Sequence, residues 1–274
     1  MCLILLDYRA GQEGYLHLAA NRDEWFRRPT DRARFWVDAP QILAGRDRNH
    51  GGTWLGVSRS GRFAAITNYR EPDKHDPGAP SRGSLVGDFL SGTMSAQGYA
   101  TALAEETRQR DRHNGYNLLV HDERSLWYVS NRGGGAMPVP SGVHGLSNHL
   151  LDTPWPKVVR GRHHLATLLD KTRNMRQRND PVQRDAFFAL LSDRTPAADA
   201  DLPATGLPLA RERSLSASHI VMGEPGQPDT LYGTRSATVL SIEQDHIDFS
   251  ERTFDASARI QASMREVFHR SVGP

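Results

Sequence analysis

The chain contains a single cysteine, at position 2. A thiol attacks a carbonyl only as thiolate, and a free thiol titrates near 8.5. An α-amine titrates at about 7.7–8.0, close enough to accept that proton. Cells commonly remove Met1 when residue 2 is small. Removal here would leave nucleophile and base on one residue, as in the arrangement where a threonine is served by its own N-terminal amine. A free cysteine is otherwise most often a small buried hydrophobe, so the decision rests on what surrounds Cys2.

Two apolar runs, Cys2–Tyr8 and Tyr15–Ala20, flank a turn bearing Gly11 and Gly14 and read as a β-hairpin. A turn centred on Gly11-Gln12 places Cys2 beside Asn21, at the head of the polar run Asn21-Arg22-Asp23-Glu24-Trp25. These residue types suit acyl transfer. Attack by sulfur creates an oxyanion that needs fixed donors, each worth about 2.7–4 kcal/mol. Asn68 and Asn148, each at a strand end, are candidates. Asp23 or Glu24 would orient the amine of Cys2 and keep it basic. Arg22 and Arg235 would hold that carboxylate, lower the thiol pKa, or bind an anionic substrate. A structural ion-pair network at the sheet edge is the competing explanation for these charges.

Other candidates carry less. Trp54 and Trp155 read as core or pocket walls, and Tyr69 and His149 stand next to the two asparagines. His163 and His164 are adjacent on a helix, point to different sides and cannot share a metal. One cysteine excludes an intrachain disulfide and a cysteine-based metal cage. No paired-carboxylate or His-x-Glu metal pattern occurs, so neither metal nor cofactor is expected. Gly133-Gly134-Gly135 lacks the strand–loop–helix context of a nucleotide loop.

The elements that must position these residues are mostly hairpins. Gly51–Ser58 with Gly61–Thr67 delivers Asn68-Tyr69-Arg70 to a proline-rich loop. Further strand pairs are Tyr116–His121 with Leu126–Ser130 and Gly233–Leu240 with His246–Arg252. A short strand over 142–148 ends at Asn148, and Ser218–Met222 reads as another. Helices are expected over 84–90, over 95–108 with Ser95 as N-cap, from about 152 to 169 with Pro near its start, over 181–192, and over 254–270 capped by Asp255. Residues 27–50 read as a long loop, and 194–213, rich in Pro, Ala, Asp and Arg, as a mobile insertion. The sum is an α+β layered fold of mainly antiparallel sheets flanked by helices.

The 274 residues, 38% hydrophobic and 24% charged, suffice for a globular core. A net charge of +2 without a basic stripe argues against nucleic acid. The opening apolar run is too short for a signal sequence, and no stretch reaches the roughly 18 apolar residues of a membrane span. A cytoplasmic protein without stable membrane insertion is expected. Oligomeric state is open.

Cys2, Asn21-Arg22-Asp23-Glu24, Gly51-Gly52-Thr53-Trp54-Leu55-Gly56, Thr67-Asn68-Tyr69, Gly145-Leu146-Ser147-Asn148, Thr153-Pro154-Trp155 and Tyr232-Gly233-Thr234-Arg235 occur in this order. Together they closely resemble the NRDE family, of the transport and Golgi organisation protein 2 type, over nearly the whole chain. The resemblance implies one domain over 1–274 and places it among the N-terminal-nucleophile hydrolases, beside penicillin V acylase, bile-salt hydrolase and related cysteine amidases. It implies a four-layer αββα sandwich, Cys2 as nucleophile, Asn148 beside the oxyanion and Arg235 as the late arginine. Where the amidases read Arg-Asn-x-Asp-Trp, this chain has Asn21 in place of Arg and Glu24 in place of Asp. Two functions follow from the resemblance. One is a hydrolase of acyl amides or thioesters. The other is a carrier of haem or of an acyl-CoA or lipid in the same cleft, with Arg22, Trp54, Tyr69 and His149 as contacts. Haem ligation would turn first to Cys2 or His149.

Overall fold

A computed structural model describes residues 2–11, 15–172, 181–224 and 226–271. Met1 and the hairpin-turn position Gly14 lie outside them. The opening hairpin is β1 (Cys2–Arg9) and β2 (Tyr15–Trp25). The chain then runs as a meander of β3 (Thr30–Phe35), β4 (Ile42–Asp47), β5 (Leu55–Ser58), β6 (Phe63–Asn68), β7 (Tyr116–His121), β8 (Leu126–Ser130) and β9 (Gly135–Pro138), each antiparallel to the next. Helices α1 (Gly83–Ser91) and α2 (Ala96–Gln109) interrupt the meander between β6 and β7. β10 (Gly142–Leu146) returns to the outer side of β1. Helices α3 (Pro156–Thr172), α4 (Pro181–Leu191) and α5 (Leu209–Leu215) follow, then β11 (Val221–Met222), β12 (Tyr232–Ile242), β13 (His246–Phe254) and β14 (Ile260–His269). β12 pairs with β2 and completes the sheet β10-β1-β2-β12-β13-β14, with β11 beside β12.

The two sheets stack face to face with helices on both outer sides, the expected αββα order. Leu6, Leu18 and Leu240 meet Leu43, Leu55, Phe63 and Leu119 between the sheets. Leu3, Leu5 and Ala19 face Val158, Leu165, Phe187 and Phe188 of α3 and α4. Val86, Phe89, Ala100 and Leu103 cover the meander. β1 is thus covered on both faces, which is why it reads as an unbroken apolar run rather than an alternation. Its even-numbered residues face the other sheet and its odd-numbered ones face the helices.

Two expectations are corrected. Residues 254–270 do not form a helix: Asp255 Oδ1 accepts from the backbone N–H groups of Ser257 (2.8 Å) and Arg259 (2.9 Å), turning the chain into β14. Met264 and Phe268, four apart, fit a helical stripe and an alternating strand equally. In the fold they pack on the inter-sheet core from the edge strand. The loop proposed for 27–50 contains β3 and β4. β3 is an edge strand, so its Asp and Arg residues belong to a solvent-facing edge. Gly135 opens β9. Residues 194–213 include a 3-10 turn and the start of α5.

His121 on β7 is buried beside Tyr8, their rings 6.0 Å apart, and burial pulls its pKa down to about 4. Burial takes His219 to about 4 as well. Between the usual value near 6.5 and about 4 the unfolded chain binds the extra proton and the folded chain does not. Stability is therefore full above pH 6.5 and falls as pH drops toward 4, by up to about 3 kcal/mol for each group. Urea unfolding at pH 7 and pH 5 should show the loss. His121→Leu should flatten part of it; an unchanged pH slope in the variant would remove His121 as a cause.

Candidate active site

The hairpin register differs from the sequence-based one by a single step: Cys2 pairs with Arg22, not Asn21. Strand side chains alternate, so that step decides which side of the sheet each group serves. Cys2 and Arg22 share the inter-sheet face. Asn21 turns to the helix side, where its Nδ2 donates to the carbonyls of Leu191 and Ser218, both at 2.8 Å. Its amide holds α4 and the strand approach in place and does not face Cys2's side of the sheet.

Half-buried Cys2 opens onto a cleft of about 320 Å³. Arg22 and Glu24 line it from the first sheet, Trp54 and Asn68 from the second, and Arg82 from the loop before α1. The guanidinium of Arg22 lies 4.1 Å from the centre of the Trp54 ring. The ring has this room because residue 45 is glycine: a Cβ there would come within 2.2 Å of it. Glu24 stands 3.9 Å from Arg22 and 3.8 Å from Arg28. Arg28 holds Asp47 through Nε (3.0 Å) and Nη2 (2.5 Å). Burial works against the Asp47 carboxylate, yet these bonds keep its pKa below the ordinary value. At the rim, Gly52 packs so closely on α1 that a Cβ would lie 2.5 Å from the Gly83 carbonyl carbon.

Asn148 is fully buried. β1 and β10 pair with Ile4 opposite Leu146, so the same register carried forward sets Asn148 level with Cys2. Ser147 Oγ donates to the carbonyl of Cys2 at 3.0 Å and lies 3.2 Å from Asn148 Oδ1. Asn148 Nδ2 donates to the backbone carbonyl of Asn68 at 2.9 Å. The two asparagines are thus one unit. Asn148 fixes the end of β6, and Asn68 lines the cleft with an amide that has no hydrogen bond among the described residues.

Asp23 also lines the Cys2 cleft and is 2% exposed, its Oδ1 accepting from Thr234 Oγ1 at 2.6 Å. Tyr232 Oη donates to its carbonyl at 3.1 Å. Burial raises the Asp23 pKa, opposed by Lys157. Lys157 itself is 1% exposed, its Nζ has no hydrogen-bond partner among the described residues, and burial pulls it down to about 8 against the pull of Asp23. Burial also pushes the Cys2 thiol up; Asp23 adds to that, and Arg22 opposes it. A thiol in this position needs a base to become a nucleophile.

Sequence reading missed Lys157, Ser147, Arg70 and Glu212. Lys157 had one signal: a lysine in the first turn of a helix sits at the positive end of the dipole, where cations are disfavoured. Arg70 crosses the Trp155 ring at 4.5 Å and pairs with the buried carboxylate of Glu212 on α5.

Tyr69, His149 and Arg235 are placed elsewhere. Tyr69 Oη meets His149 Nε2 at 2.7 Å, and His149 Nδ1 meets Thr153 Oγ1 at 2.9 Å. Both ring nitrogens are engaged, and burial lowers the His149 pKa. Neither residue lines the Cys2 cleft. Arg235 sits at a bulge in β12, where the register with β2 shifts between Thr234 and Ser236. Its Nη1 donates to the carbonyls of Trp25 (3.3 Å) and Arg28, and the side chain lines a second cleft rather than that of Cys2. Among the described residues no group of three or more His, Cys, Asp or Glu could hold a metal, and no helix is long and apolar enough to cross a membrane.

Fold and site together define an αββα sandwich with a cysteine lining a cleft bordered by residues of both sheets. The chain belongs to the Transport and Golgi organisation 2 family, whose model matches residues 1–256. It is 32% identical to the bovine Transport and Golgi organization protein 2 homolog over 267 residues, covering 92% of this chain and 93% of that protein. The human homolog is 32% identical over 272 residues, with the same coverage. Among solved structures, a Caenorhabditis elegans N-acylethanolamine-hydrolyzing acid amidase ortholog aligns with a TM-score of 0.47 and 10% identity over 88% of this chain and 92% of that one. A mutant conjugated bile acid hydrolase from Clostridium perfringens aligns with a TM-score of 0.43 and 10% identity, over 100% and 97% of the two chains.

Proposed function

We propose that the protein is a cysteine hydrolase of an acyl amide or thioester, with Cys2 as nucleophile once Met1 is removed. What supports this reading is that Cys2 and Asn68 line the same cleft and that Asn148 Nδ2 holds the Asn68 carbonyl. In the processed chain the α-amine of Cys2 takes the thiol proton while Sγ bonds to the substrate carbonyl carbon. The carbonyl oxygen becomes an oxyanion and accepts from the free amide of Asn68. Collapse expels the amine or thiol, which leaves with the proton from the α-amine. Water then attacks the thioester, again deprotonated by the amine, and releases the acid. Asp23, which lines the cleft, and Lys157 are both buried and close enough to influence Cys2. Their balance sets how readily the amine holds its proton. Arg22, Arg28 and Arg82 favour substrates with an anionic group.

Intact-mass analysis after incubation with a panel of acyl amides and thioesters tests the reading. A processed chain that gains one acyl group and then loses it is expected. A chain that retains Met1, or binds the same compounds saturably without adduct or product, supports the carrier reading instead. In a carrier of haem, His149 could ligate iron only by giving up Tyr69 or Thr153. Asn68→Ala should cut turnover about 10²-fold, the usual worth of one oxyanion donor, with little change in KM. An equal loss in binding and turnover would mean that Asn68 contacts the ground state.

A further inference from the structure

The apolar filling between the sheets ends at one level. Facing the meander, β2 carries Leu18, Ala20 and then Arg22. β12 carries Leu240, Thr238 and Ser236, and β13 carries Phe249, Glu251 and Thr253. Register brings the switch into line: Leu18, Leu240 and Phe249 form one row, Ala20, Thr238 and Glu251 the next, and Arg22, Ser236 and Thr253 the last. Cys2 lies at the far end of that last row, beyond Arg22. Three adjacent strands thus turn polar at the same depth.

Burying such groups without partners is unfavourable, because their hydrogen bonds to water are lost and not replaced. Arg22 is 6% exposed, yet its buried Nη1 has no hydrogen-bond partner among the described residues, and the same holds for Thr253 Oγ1. Both line a cleft of about 180 Å³, together with Glu251, Arg235 and Asp31. Glu251 accepts from the backbone N–H of Ala33 at 2.8 Å, and burial raises its pKa to about 7. Arg235 commits Nη1 to carbonyl oxygens and leaves Nε and Nη2 without a hydrogen bond among the described residues. The wall between this cleft and that of Cys2 is Arg22 on Trp54, which line both. Neighbouring strands are about 4.8 Å apart, so Ser236, two strands over, stands about 10 Å from Cys2.

We propose that this cleft is a second binding site, for a small hydroxycarboxylate, in which Arg22 and Arg235 hold the carboxylate and Glu251 and Thr253 bond its hydroxyl. Two planar guanidinium forks match a carboxylate's paired oxygens. A dianion such as phosphate would meet more repulsion from the carboxyl groups of Asp31 and Glu251. The site goes beyond the acyl-transfer reading, because nothing in it requires Cys2 to react.

Calorimetric titration of the full chain with lactate, acetate and inorganic phosphate tests the proposal. Saturable one-site binding of lactate is expected, tighter than acetate and phosphate. Arg235→Met should weaken lactate and acetate at least tenfold. Thr253→Val should weaken lactate toward acetate while leaving acetate unchanged, and Cys2→Ala should alter none of them. Should Arg235→Met fail to fold, Thr253→Val and Glu251→Gln carry the test, each narrowing the gap between lactate and acetate. Absence of saturable lactate binding, phosphate binding tighter than lactate, insensitivity to Thr253→Val, or loss of binding in Cys2→Ala would each overturn the proposal. The last would assign the carboxylate to the Cys2 cleft. Lactate binding without any acyl adduct on Cys2 would leave the second site standing and count only against the hydrolase reading.

Discussion

Cys2→Ala should abolish both the covalent acyl adduct and product release while leaving the fold intact. The side chain is half-buried at the end of β1, so losing one sulfur atom leaves the ladder with Arg22 unchanged and removes little packing. The chemical loss is complete, because no other cysteine exists in the chain. Cys2→Ser gives the sharper comparison. A hydroxyl has a far higher pKa than a thiol, so the same α-amine is a much weaker match for it, and turnover should fall by orders of magnitude with binding retained. Alkylation rate against pH provides an independent readout. Burial holds the thiol above its ordinary pKa. Unprocessed protein should therefore react slowly at pH 7 and faster as pH rises, whereas removal of Met1 should accelerate the reaction near neutrality. Equal rates for both forms would exclude the amine as base.

Glu212→Ala should be among the most destabilising single changes in the chain. Glu212 and Arg70 are both buried, and the pair is flanked by Trp155 and by Thr205, whose hydroxyl donates to the other carboxylate oxygen. Removing Glu212 takes away the carboxylate that pairs with a guanidinium held in the interior, which costs about 3–5 kcal/mol. For a chain of this size that is a drop of roughly 10 °C in Tm. Replacing both partners by apolar residues should cost less than the single change, and a double-mutant cycle measures the difference. The effect should also reach the site: Arg70 follows Asn68 by two residues, and its backbone N–H donates to the Asn148 carbonyl at 2.7 Å. Turnover in Glu212→Ala should fall by more than the unfolded fraction accounts for. A variant as stable as the parent would show that the pair is not held dry in solution.

The opening hairpin, the mainly antiparallel sheets flanked by helices and the proximity of Cys2 to a polar run were legible in the sequence because they rest on local pattern, whereas the four-layer order was implied by the family resemblance. Apolar runs of strand length, glycine turns and the N-cap at Ser95, which accepts from the Gly98 N–H at 3.1 Å, act over a few residues. Elements whose pattern is ambiguous at that range were not legible. β14 shares its spacing of Met264 and Phe268 with a helix, and β3 looks like a loop because its edge position favours charge. Residues 194–213 resemble an insertion in composition, yet Glu212 reaches the interior through a contact 142 positions away in the chain.

By itself the sequence determined which groups are available for chemistry: one thiol, two asparagines at strand ends, and a charged run beside them. Tertiary structure alone decided which of them face one another. A shift of one residue in strand register exchanges the two faces of a sheet, sending Asn21 to the helices and Arg22 to the cleft. The bulge at β12 turns Arg235 into a second cavity, and the buried lysine behind Asp23 comes from a helix more than a hundred residues away. Residue types are local facts, but facing is set by register and packing across the whole chain, which no short stretch encodes.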